Sequence, residues 1–351
     1  MKTKQIVFTD VGKAELLATD CEMPKEGEVL ISLAYSTISC GTERANLMGD
    51  KNVNGALSAD DTPMFPRYCG YCSSGTVIAV GDGVTKFSVG DKVVCRGGSH
   101  KKNMVLSQNN VTKIADGVSV QEAAMVYIST FSIAGVRKTR LEIGESAVVM
   151  GLGILGLFAV QFLKAAGAVP IIAVDPVADR RSLALKFGAD YALDPTDSDF
   201  AEKVIKLTDG GANAAIEVTG VGAALDSVLD CMARFGRVAL LGCTRDKNFT
   251  IDYYRKVHFP GVSLIGAHTV ARPCSESSPG YWTSEDDTKA IMKLIAGGRV
   301  NFKDMIFETH EPQSAPEVYH RLATDRNFPV CVQFDWTKME DCIWKKLKSV
   351  R

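Results

Sequence analysis

Two patterns of hydrophobic and polar positions follow one another along the chain. Between residues 27 and 120, short apolar stretches such as residues 28–33 and 75–80 are separated by turn sequences. The turns Gly81-Asp82-Gly83 and Gly90-Asp91 suit tight connections, because Gly and Asp tolerate the backbone conformations that tight turns require. This pattern predicts a small β-rich domain resembling a barrel.

A helical period begins at residue 121, runs to 137, and is followed by alternating strands and helices. Five apolar runs have strand length: residues 146–150, 170–174, 214–218, 237–241 and 263–265. Such continuous runs are typical of parallel strands that are covered on both faces. Gly167 and Gly188 suit the left-handed ends of the intervening helices. The second pattern predicts an α/β fold with a doubly wound parallel sheet.

These changes of pattern set the expected domain boundaries. We expect a β-rich domain over residues 1–120, an α/β domain over 121–297, and a C-terminal segment, 298–351, that returns to the first domain. In that last segment we expect a strand at 305–309 and a helix at 315–322. The net basic, amphipathic tail from 338 is expected to form a solvated helix, with a docking element as the alternative.

Composition narrows the function classes. The 351 residues carry a net charge of −1, so no basic excess is available to neutralise the phosphates of nucleic acid. Residues 1–8 alternate like a strand, and no apolar run reaches the roughly 20 residues that cross a bilayer. Ten cysteines without a secretory signal predict free thiols in the cytoplasm.

A glycine-rich turn, Gly151-Leu152-Gly153-Ile154-Leu155-Gly156, directly follows the first predicted parallel strand and opens a helix. In this pattern the first glycine permits the turn, the second lets a pyrophosphate approach, and the third allows close packing of helix and strand. The helix N-terminus adds free amide donors and a positive dipole end for the phosphates. The glycine pattern alone is weak evidence for a dinucleotide site, but Asp175 at the end of the next strand supports this interpretation.

A carboxylate at the position of Asp175 can accept hydrogen bonds from the adenosine ribose hydroxyls and repels a 2′-phosphate. The predicted cofactor is therefore NAD, with Arg180 as a further binding residue. A preference for NADPH supported by Arg180 or Arg181 is the alternative. A purely structural role for Asp175 as a helix cap does not account for the glycines.

With the turn at Gly81-Asp82-Gly83-Val84, the strand start Gly90-Asp91-Lys92-Val93 and the glycine motif, the chain resembles the zinc-type medium-chain dehydrogenase/reductase superfamily over about residues 5–335. The resemblance implies a GroES-like catalytic domain, a Rossmann domain, and homodimers or homotetramers paired along the sheet edge at 263–266. Residues 36–44, Ser-Thr-Ile-Ser-Cys-Gly-Thr-Glu-Arg, look like the subgroup that acts on sugars and cyclitols, or on the hydroxyethyl group of bacteriochlorophyll precursors.

The resemblance also implies a catalytic zinc, from which this sequence departs. Cys40 matches the first zinc ligand and Thr42 the neighbouring hydroxyl that relays protons. Gly70-Tyr71-Cys72 stands where Gly-His-Glu is expected, Tyr127 replaces a helical Glu, and the four-cysteine structural-zinc lobe is missing. Either the thiols simply line the old metal pocket, or Cys40, Cys69 and Cys72 form a thiolate-rich site with His100.

Without a metal, hydride transfer requires side chains that hold the alcohol proton. The groups expected around the nicotinamide are Thr42, Tyr71, His100 and Tyr127. A phenol would face the ring, with Thr42 and His100 as a relay towards solvent and His100 lowering the phenol pKa. The same resemblance implies further cofactor contacts at Thr130, Thr219, Gly242 and His268.

The leading hypothesis is an NAD(H)-dependent dehydrogenase that interconverts a secondary alcohol and a ketone on a small polyol, sugar or cyclitol. A zinc-free enoyl or quinone reductase is the alternative enzyme, although Cys40-Gly41-Thr42-Glu43 belongs to the zinc-type branch. A non-catalytic NAD-binding protein is the alternative from a different class.

Overall fold

The computed structural model describes residues 1–50, 65–244 and 248–349, and the chain forms two compact units. The first unit contains Met1–Tyr127, Met292–Ala296 and Phe302–Arg351. The second contains Ile128–Ile291 and Gly297–Asn301. Residues 121–127, which the hydrophobic pattern grouped with the α/β domain, therefore lie in the first unit.

The strands, in chain order, are β1 (Lys2–Asp10), β2 (Lys13–Asp20), β3 (Glu28–Thr37), β4 (Arg67–Tyr68), β5 (Cys72–Val80), β6 (Lys92–Arg96), β7 (Asn103–Ser107), β8 (Val111–Lys113), β9 (Ala147–Met150), β10 (Ile171–Val174), β11 (Tyr191–Leu193), β12 (Ala212–Glu217), β13 (Met232–Leu240), β14 (Ser263–Gly266), β15 (Glu308–His310) and β16 (Val332–Asp335). The α-helices are α1 (Cys40–Leu47), α2 (Val120–Ala123), α3 (Val126–Lys138), α4 (Ile154–Ala166), α5 (Ala178–Lys186), α6 (Phe200–Leu207), α7 (Gly222–Leu229), α8 (Ser284–Ala296), α9 (Ala315–Thr324) and α10 (Cys342–Ser349). Short 3-10 turns cover Gln108–Asn110, Lys303–Met305 and Pro312–Ser314, and a π-helical turn covers Tyr254–His258.

The first unit is built mainly from antiparallel strands. One sheet has the order β2-β1-β4, and the larger one has the order β15-β16-β3-β5-β6-β8, with β7 also pairing with β3. The core between them holds aromatic and aliphatic side chains from distant parts of the chain: Phe8, Ile31, Val77, Tyr319, Phe334 and Trp336. The predicted β-rich domain is confirmed, since alternate residues of its strands bury their side chains in this core.

The second unit contains one parallel sheet with the strand order β11-β10-β9-β12-β13-β14. The order reverses between β9 and β12, and every pair of neighbours is parallel. The predicted doubly wound sheet is confirmed. The short strand β11 escaped the hydrophobic pattern because it has only three residues, none of them buried.

Three details differ from the pattern. The predicted helix 121–137 is two helices, α2 and α3, and the predicted strand at 305–309 begins only at Glu308. The tail helix α10 is not solvated on all sides, because Ile343 is buried against Cys21, Leu30 and Ile78. Within the described ranges, the structure contains no helix with the length and apolar character needed to cross a membrane.

Candidate active site and cofactor crevice

The glycine turn between β9 and α4 has three glycines with three different surroundings. Gly151 has a φ of +97°, and a Cβ there would lie 2.8 Å from Cγ2 of Thr219. A Cβ on Gly156 would lie 1.9 Å from the carbonyl oxygen of Gly151, so no larger residue fits. A Cβ on Gly153 would meet nothing within 4 Å. A side chain therefore has no room at Gly151 or Gly156, whereas the space beside Gly153 is open, as the approach of a pyrophosphate would require.

Ile154 and Leu155 occupy the first two positions of α4. The main-chain N–H groups of a helix's first turn have no carbonyl partner within the helix. Gly153 caps the helix with extended backbone and without a side chain. The residues present fit the diphosphate of a dinucleotide, because free N–H donors and open space meet at the positive end of the helix dipole.

Asp175 follows β10 and is joined directly to the glycine turn. Its Oδ2 accepts a hydrogen bond from the main-chain N–H of Leu152 at 2.9 Å, and its Oδ1 accepts one from Val177 N–H at 2.9 Å. Nη1 of Arg180 lies 3.6 Å from Oδ2. Each carboxylate oxygen has a second lone pair, so Asp175 keeps acceptor capacity for a ribose hydroxyl. The bond to Leu152 was not foreseen from the sequence.

The loops after β12 and β13 pack against each other and against this turn. A Cβ on Gly242 would lie 2.2 Å from the main-chain nitrogen of Gly220, so the two loops approach backbone to backbone. The methyl group of Thr219 reaches Gly151, as described above. The structure thus brings Thr219 and Gly242, two of the expected cofactor residues, to the glycine turn.

The other two expected cofactor residues make different contacts. Thr130 lies in α3 with no exposed surface, and its carbonyl accepts a hydrogen bond from Arg272 at 3.1 Å. His268 is exposed in the loop after β14, where its Nδ1 accepts a hydrogen bond from Val270 N–H at 3.3 Å. Their hydrogen bonds therefore connect them to the segment that follows β14.

In the first unit, a group of hydroxyl side chains surrounds Tyr71, just before β5. The Tyr71 hydroxyl lies 2.6 Å from Oγ of Ser39, and Thr42 in the first turn of α1 is a second hydrogen-bonding partner. The ring of Tyr127 meets the Tyr71 ring edge to face, with centroids 6.0 Å apart. The structure brings together three of the four expected catalytic residues. Ser39 was missed, because a serine next to Cys40 carries no signal of its own.

The Tyr71 phenol keeps its proton at neutral pH. Burial raises its pKa well above the usual value, nearby Cys72 and Glu43 add to the rise, and the hydrogen bonds from Ser39 and Thr42 only partly oppose it. We expected His100 to lower this pKa, and that expectation is wrong, since His100 has other partners. A phenol in this state can donate a proton but is a poor base near pH 7.

His100 is fully buried and does not lead towards solvent. Its Nε2 lies 3.1 Å from Oε2 of Glu43 and its Nδ1 lies 2.7 Å from Oγ of Ser36. A Cβ on Gly70 would lie 2.3 Å from Cγ of His100, so the absence of a side chain at Gly70 makes room for the ring. The predicted relay through His100 is therefore wrong, because the ring is fully buried and both of its nitrogens contact buried side chains instead of solvent.

Glu43 is the centre of this buried network. Besides His100, it accepts hydrogen bonds from the Tyr319 hydroxyl at 2.5 Å and from Ser39 N–H at 2.9 Å. Burial by itself would raise its pKa, but His100 and the hydrogen bonds from Tyr319 and Ser39 outweigh burial and hold the pKa below the usual value. Ser39 belongs to both groups: its hydroxyl meets Tyr71 and its N–H supports Glu43.

The thiols do not build a metal site. The Cys40 thiol lies 3.8 Å from the carbonyl oxygens of Pro329 and Val330, Cys72 is fully buried, and burial raises the pKa of the Cys69 thiol. Among residues 1–50, 65–244 and 248–349, no three His, Cys, Asp or Glu side chains converge closely enough to hold a metal ion. The thiolate-rich alternative is therefore wrong for these residues. The donors present do not fit a catalytic zinc, which needs three protein ligands.

Comparison with known proteins agrees with this architecture. Residues 25–131 match the family model of the alcohol dehydrogenase GroES-like domain, and residues 155–283 match that of the zinc-binding dehydrogenases. The chain belongs to the zinc-type medium-chain dehydrogenase/reductase superfamily. The resemblance inferred from the motifs is confirmed, as are the GroES-like and Rossmann folds.

Two curated relatives and one solved structure illustrate the likeness. The chain is 31% identical to D-guloside 3-dehydrogenase of Escherichia coli (strain K12), over 90% of this chain and 95% of the relative. It is 31% identical to L-threonine 3-dehydrogenase of Pyrococcus horikoshii, over 85% of this chain and 88% of the relative. Galactitol-1-phosphate dehydrogenase from Escherichia coli has the same fold, with a TM-score of 0.80, 19% identity, and coverage of 95% and 99%.

Proposed function

We propose that this protein is an NAD(H)-dependent oxidoreductase that interconverts a secondary alcohol and a ketone on a polyol, sugar or cyclitol, with a tyrosine in place of the catalytic zinc. The observation that carries the proposal is the Tyr71 phenol. By the motif resemblance it stands where the family has a zinc ligand, and it is hydrogen-bonded to Ser39 at 2.6 Å and to Thr42. The similarity to D-guloside 3-dehydrogenase supports the class of substrate.

The cofactor assignment is supported by the crevice of the second unit. A bound NADH would supply the hydride. Gly151, Gly153 and Gly156 would hold its diphosphate, and Asp175 would accept hydrogen bonds from its ribose. Arg180 lies 3.6 Å from the Asp175 carboxylate, so its charge is already engaged. This pairing favours the diol of NAD over the 2′-phosphate of NADP.

Tyr71 determines how the proton moves in the proposed reaction. In the reducing direction the carbonyl carbon accepts the hydride while the carbonyl oxygen takes the Tyr71 proton, which forms an alcohol and leaves a phenolate. Thr42, which is partly exposed, then returns a proton from water to the phenolate. Because burial raises the pKa of Tyr71, the proton is in place throughout the neutral range, and the enzyme is a better reductase than alcohol oxidase near pH 7.

The test is NADH oxidation with a panel of ketoses, inososes and enones, comparing the unsubstituted protein with Tyr71→Phe and Tyr127→Phe. Both variants keep their rings and therefore the edge-to-face contact. We expect Tyr71→Phe to lower turnover by roughly 10²-fold with NADH binding intact, the usual scale of general acid catalysis. Near-normal turnover in Tyr71→Phe would place the proton path elsewhere.

The same panel separates the alternatives. Activity on enones alone would identify an enoyl or quinone reductase. NADH binding without turnover of any compound would favour a non-catalytic NAD-binding protein.

Assembly and location belong to the same proposal. We infer a homodimer or homotetramer paired along β14, the last strand of its sheet, three of whose four residues are exposed. None of the nine cysteines whose side chains the structure describes forms a disulfide, which supports the proposal of a reducing cytoplasm.

A further inference from the structure

The carboxyl end of β12 carries a buried carboxylate that the glycine motif does not explain. Glu217 is 3% exposed and ends the strand that lies beside β9, where the strand order of the parallel sheet reverses. In doubly wound sheets this reversal is where ligands bind. Burial raises the pKa of Glu217, against the effect of hydrogen bonds from Thr219 and Gly220. Burial therefore disfavours the ionised form of Glu217 at the cofactor crevice.

Glu217 holds both loops that border the glycine turn. Its Oε1 accepts hydrogen bonds from Thr219 N–H at 2.7 Å and from the Thr219 hydroxyl, and Gly220 N–H lies 3.1 Å from each carboxylate oxygen. Its main-chain carbonyl accepts hydrogen bonds from Leu241 N–H at 2.8 Å and Gly242 N–H at 2.9 Å. One residue thus organises the loops after β12 and β13.

The loop that Glu217 holds packs tightly on the cofactor turn. Thr219 brings its methyl group to within 2.8 Å of where a Gly151 Cβ would stand. A Cβ on Gly220 would lie 2.7 Å from the carbonyl carbon of Cys243, so the loop has no space to retreat on that side. A small displacement of Thr219 would therefore move one wall of the crevice, since close-packed backbones transmit displacement.

We propose that Glu217 is a positioning residue for the cofactor: its carboxylate fixes Thr219 against the glycine turn and thereby sets the affinity for the nicotinamide dinucleotide. The inference rests on the proposed function. A carboxylate suits this task because it accepts several N–H groups at once. A glutamine offers one acceptor oxygen, and if that oxygen stays at the Oε1 position its NH₂ group faces the Gly220 N–H, so Glu217→Gln disturbs the loop without changing the volume of the side chain.

The experiment is a fluorescence titration of NADH against the purified full chain, together with its thermal unfolding. We expect Glu217→Gln to raise the Kd for NADH about tenfold, the size that losing a hydrogen bond to a charged group produces, with the KM for the ketone unchanged. The matched control is Asp190→Asn, whose carboxylate accepts Ile171 N–H at 2.7 Å at the opposite, amino end of β10. That variant should lower Tm and leave the Kd for NADH unchanged.

A second variant isolates the route through Thr219. Thr219→Val keeps a methyl group against Gly151 but loses the hydroxyl bond to Glu217, and it should also weaken NADH binding. Since both changes act through one loop, the double variant should bind NADH about as weakly as Glu217→Gln alone. Independent, multiplicative effects would overturn the inference, as would an unchanged Kd in Thr219→Val.

The outcomes separate the two proposals. If the unsubstituted chain binds NADH and Glu217→Gln binds it equally well, the positioning role is wrong and the proposed function stands. If the unsubstituted chain binds no nicotinamide dinucleotide, the proposed function fails and the positioning role fails with it.

Discussion

Tyr319→Phe tests whether the buried network around Glu43 stabilises the first unit as a charged group. The Tyr319 hydroxyl donates to Oε2 of Glu43 at 2.5 Å. Its ring is fully buried and meets Phe8 edge to face with centroids 4.8 Å apart. Phenylalanine preserves that packing, so the substitution removes the hydrogen bond and little else.

The expected loss of stability depends on the hydrogen-bond partners that Glu43 keeps in Tyr319→Phe. A hydrogen bond to a charged group contributes roughly 1.5–3 kcal/mol. Glu43 keeps His100 at 3.1 Å and Ser39 N–H at 2.9 Å, so the carboxylate stays partly satisfied. We expect the free energy of unfolding to fall by about 2 kcal/mol at neutral pH, which corresponds to a Tm lower by about 4–8 °C for a unit of this size.

The pH dependence has a definite sign. The pKa of Glu43 is held below its usual value in the folded protein, so the network's stabilisation is present above the unfolded pKa and is lost as pH falls through the folded one. Tyr319 is one of the groups that lower this pKa. The decrease in the free energy of unfolding caused by Tyr319→Phe should therefore be complete at neutral pH and should become smaller on acidification below the usual glutamate pKa of about 4.3.

The assay is urea unfolding followed by tryptophan fluorescence at about pH 7 and at about pH 2.5, the second being well below the usual glutamate pKa of about 4.3. Trp336 reports on the same region, since its Nε1 donates to Ser36 Oγ at 2.8 Å. Tyr191→Phe, at an exposed tyrosine of the other unit, is the control and should change stability by less than about 0.5 kcal/mol. If Tyr319→Phe does not lower the free energy of unfolding at neutral pH, or lowers it equally at both pH values, Glu43 does not stabilise the unit as a charged group.

Three further predictions concern the proposed chemistry. NADH should bind at least about tenfold tighter than NADPH, and Asp175→Asn should reduce this ratio of affinities. Equal affinities for NADH and NADPH in the unsubstituted protein would contradict the role of Asp175. Elemental analysis should find no stoichiometric zinc and a chelator should leave turnover intact, whereas one tightly held zinc per chain would argue against the metal-free mechanism. Ketone reduction should be nearly independent of pH through the neutral range, while alcohol oxidation should rise towards alkaline pH as the Tyr71 phenol loses its proton. A maximum of alcohol oxidation near neutral pH would require another base.

Local sequence patterns were sufficient to predict most strands and the glycine turn of the second unit. Continuous apolar runs predicted β9, β10 and β12, because a strand covered on both faces has no polar side to interrupt the run. The runs at 237–241 and 263–265 likewise predicted β13 and β14, although three of the four residues of β14 are exposed. The glycine turn and Asp175 could be found because their roles depend on backbone geometry within one βαβ segment. The glycines are required by contacts with near neighbours, as between Gly156 and the Gly151 carbonyl.

The proposed catalytic residues of the first unit could be predicted only in part from local sequence patterns. Family motifs pointed to Thr42, Tyr71 and Tyr127, but Ser39, Glu43 and Tyr319 were missed and His100 was given a wrong role. Glu43 and Tyr319 are 276 positions apart in the chain, and no periodicity signals such a pairing.

The fold class, the glycine turn and the departure from the family's zinc ligands could thus be predicted before folding was considered, since each depends on short stretches of sequence. Which buried donors meet which acceptors could be found only in the folded protein. These pairings shift the pKa values of Tyr71 and Glu43, because a pKa depends on burial and on partners that folding brings from distant segments.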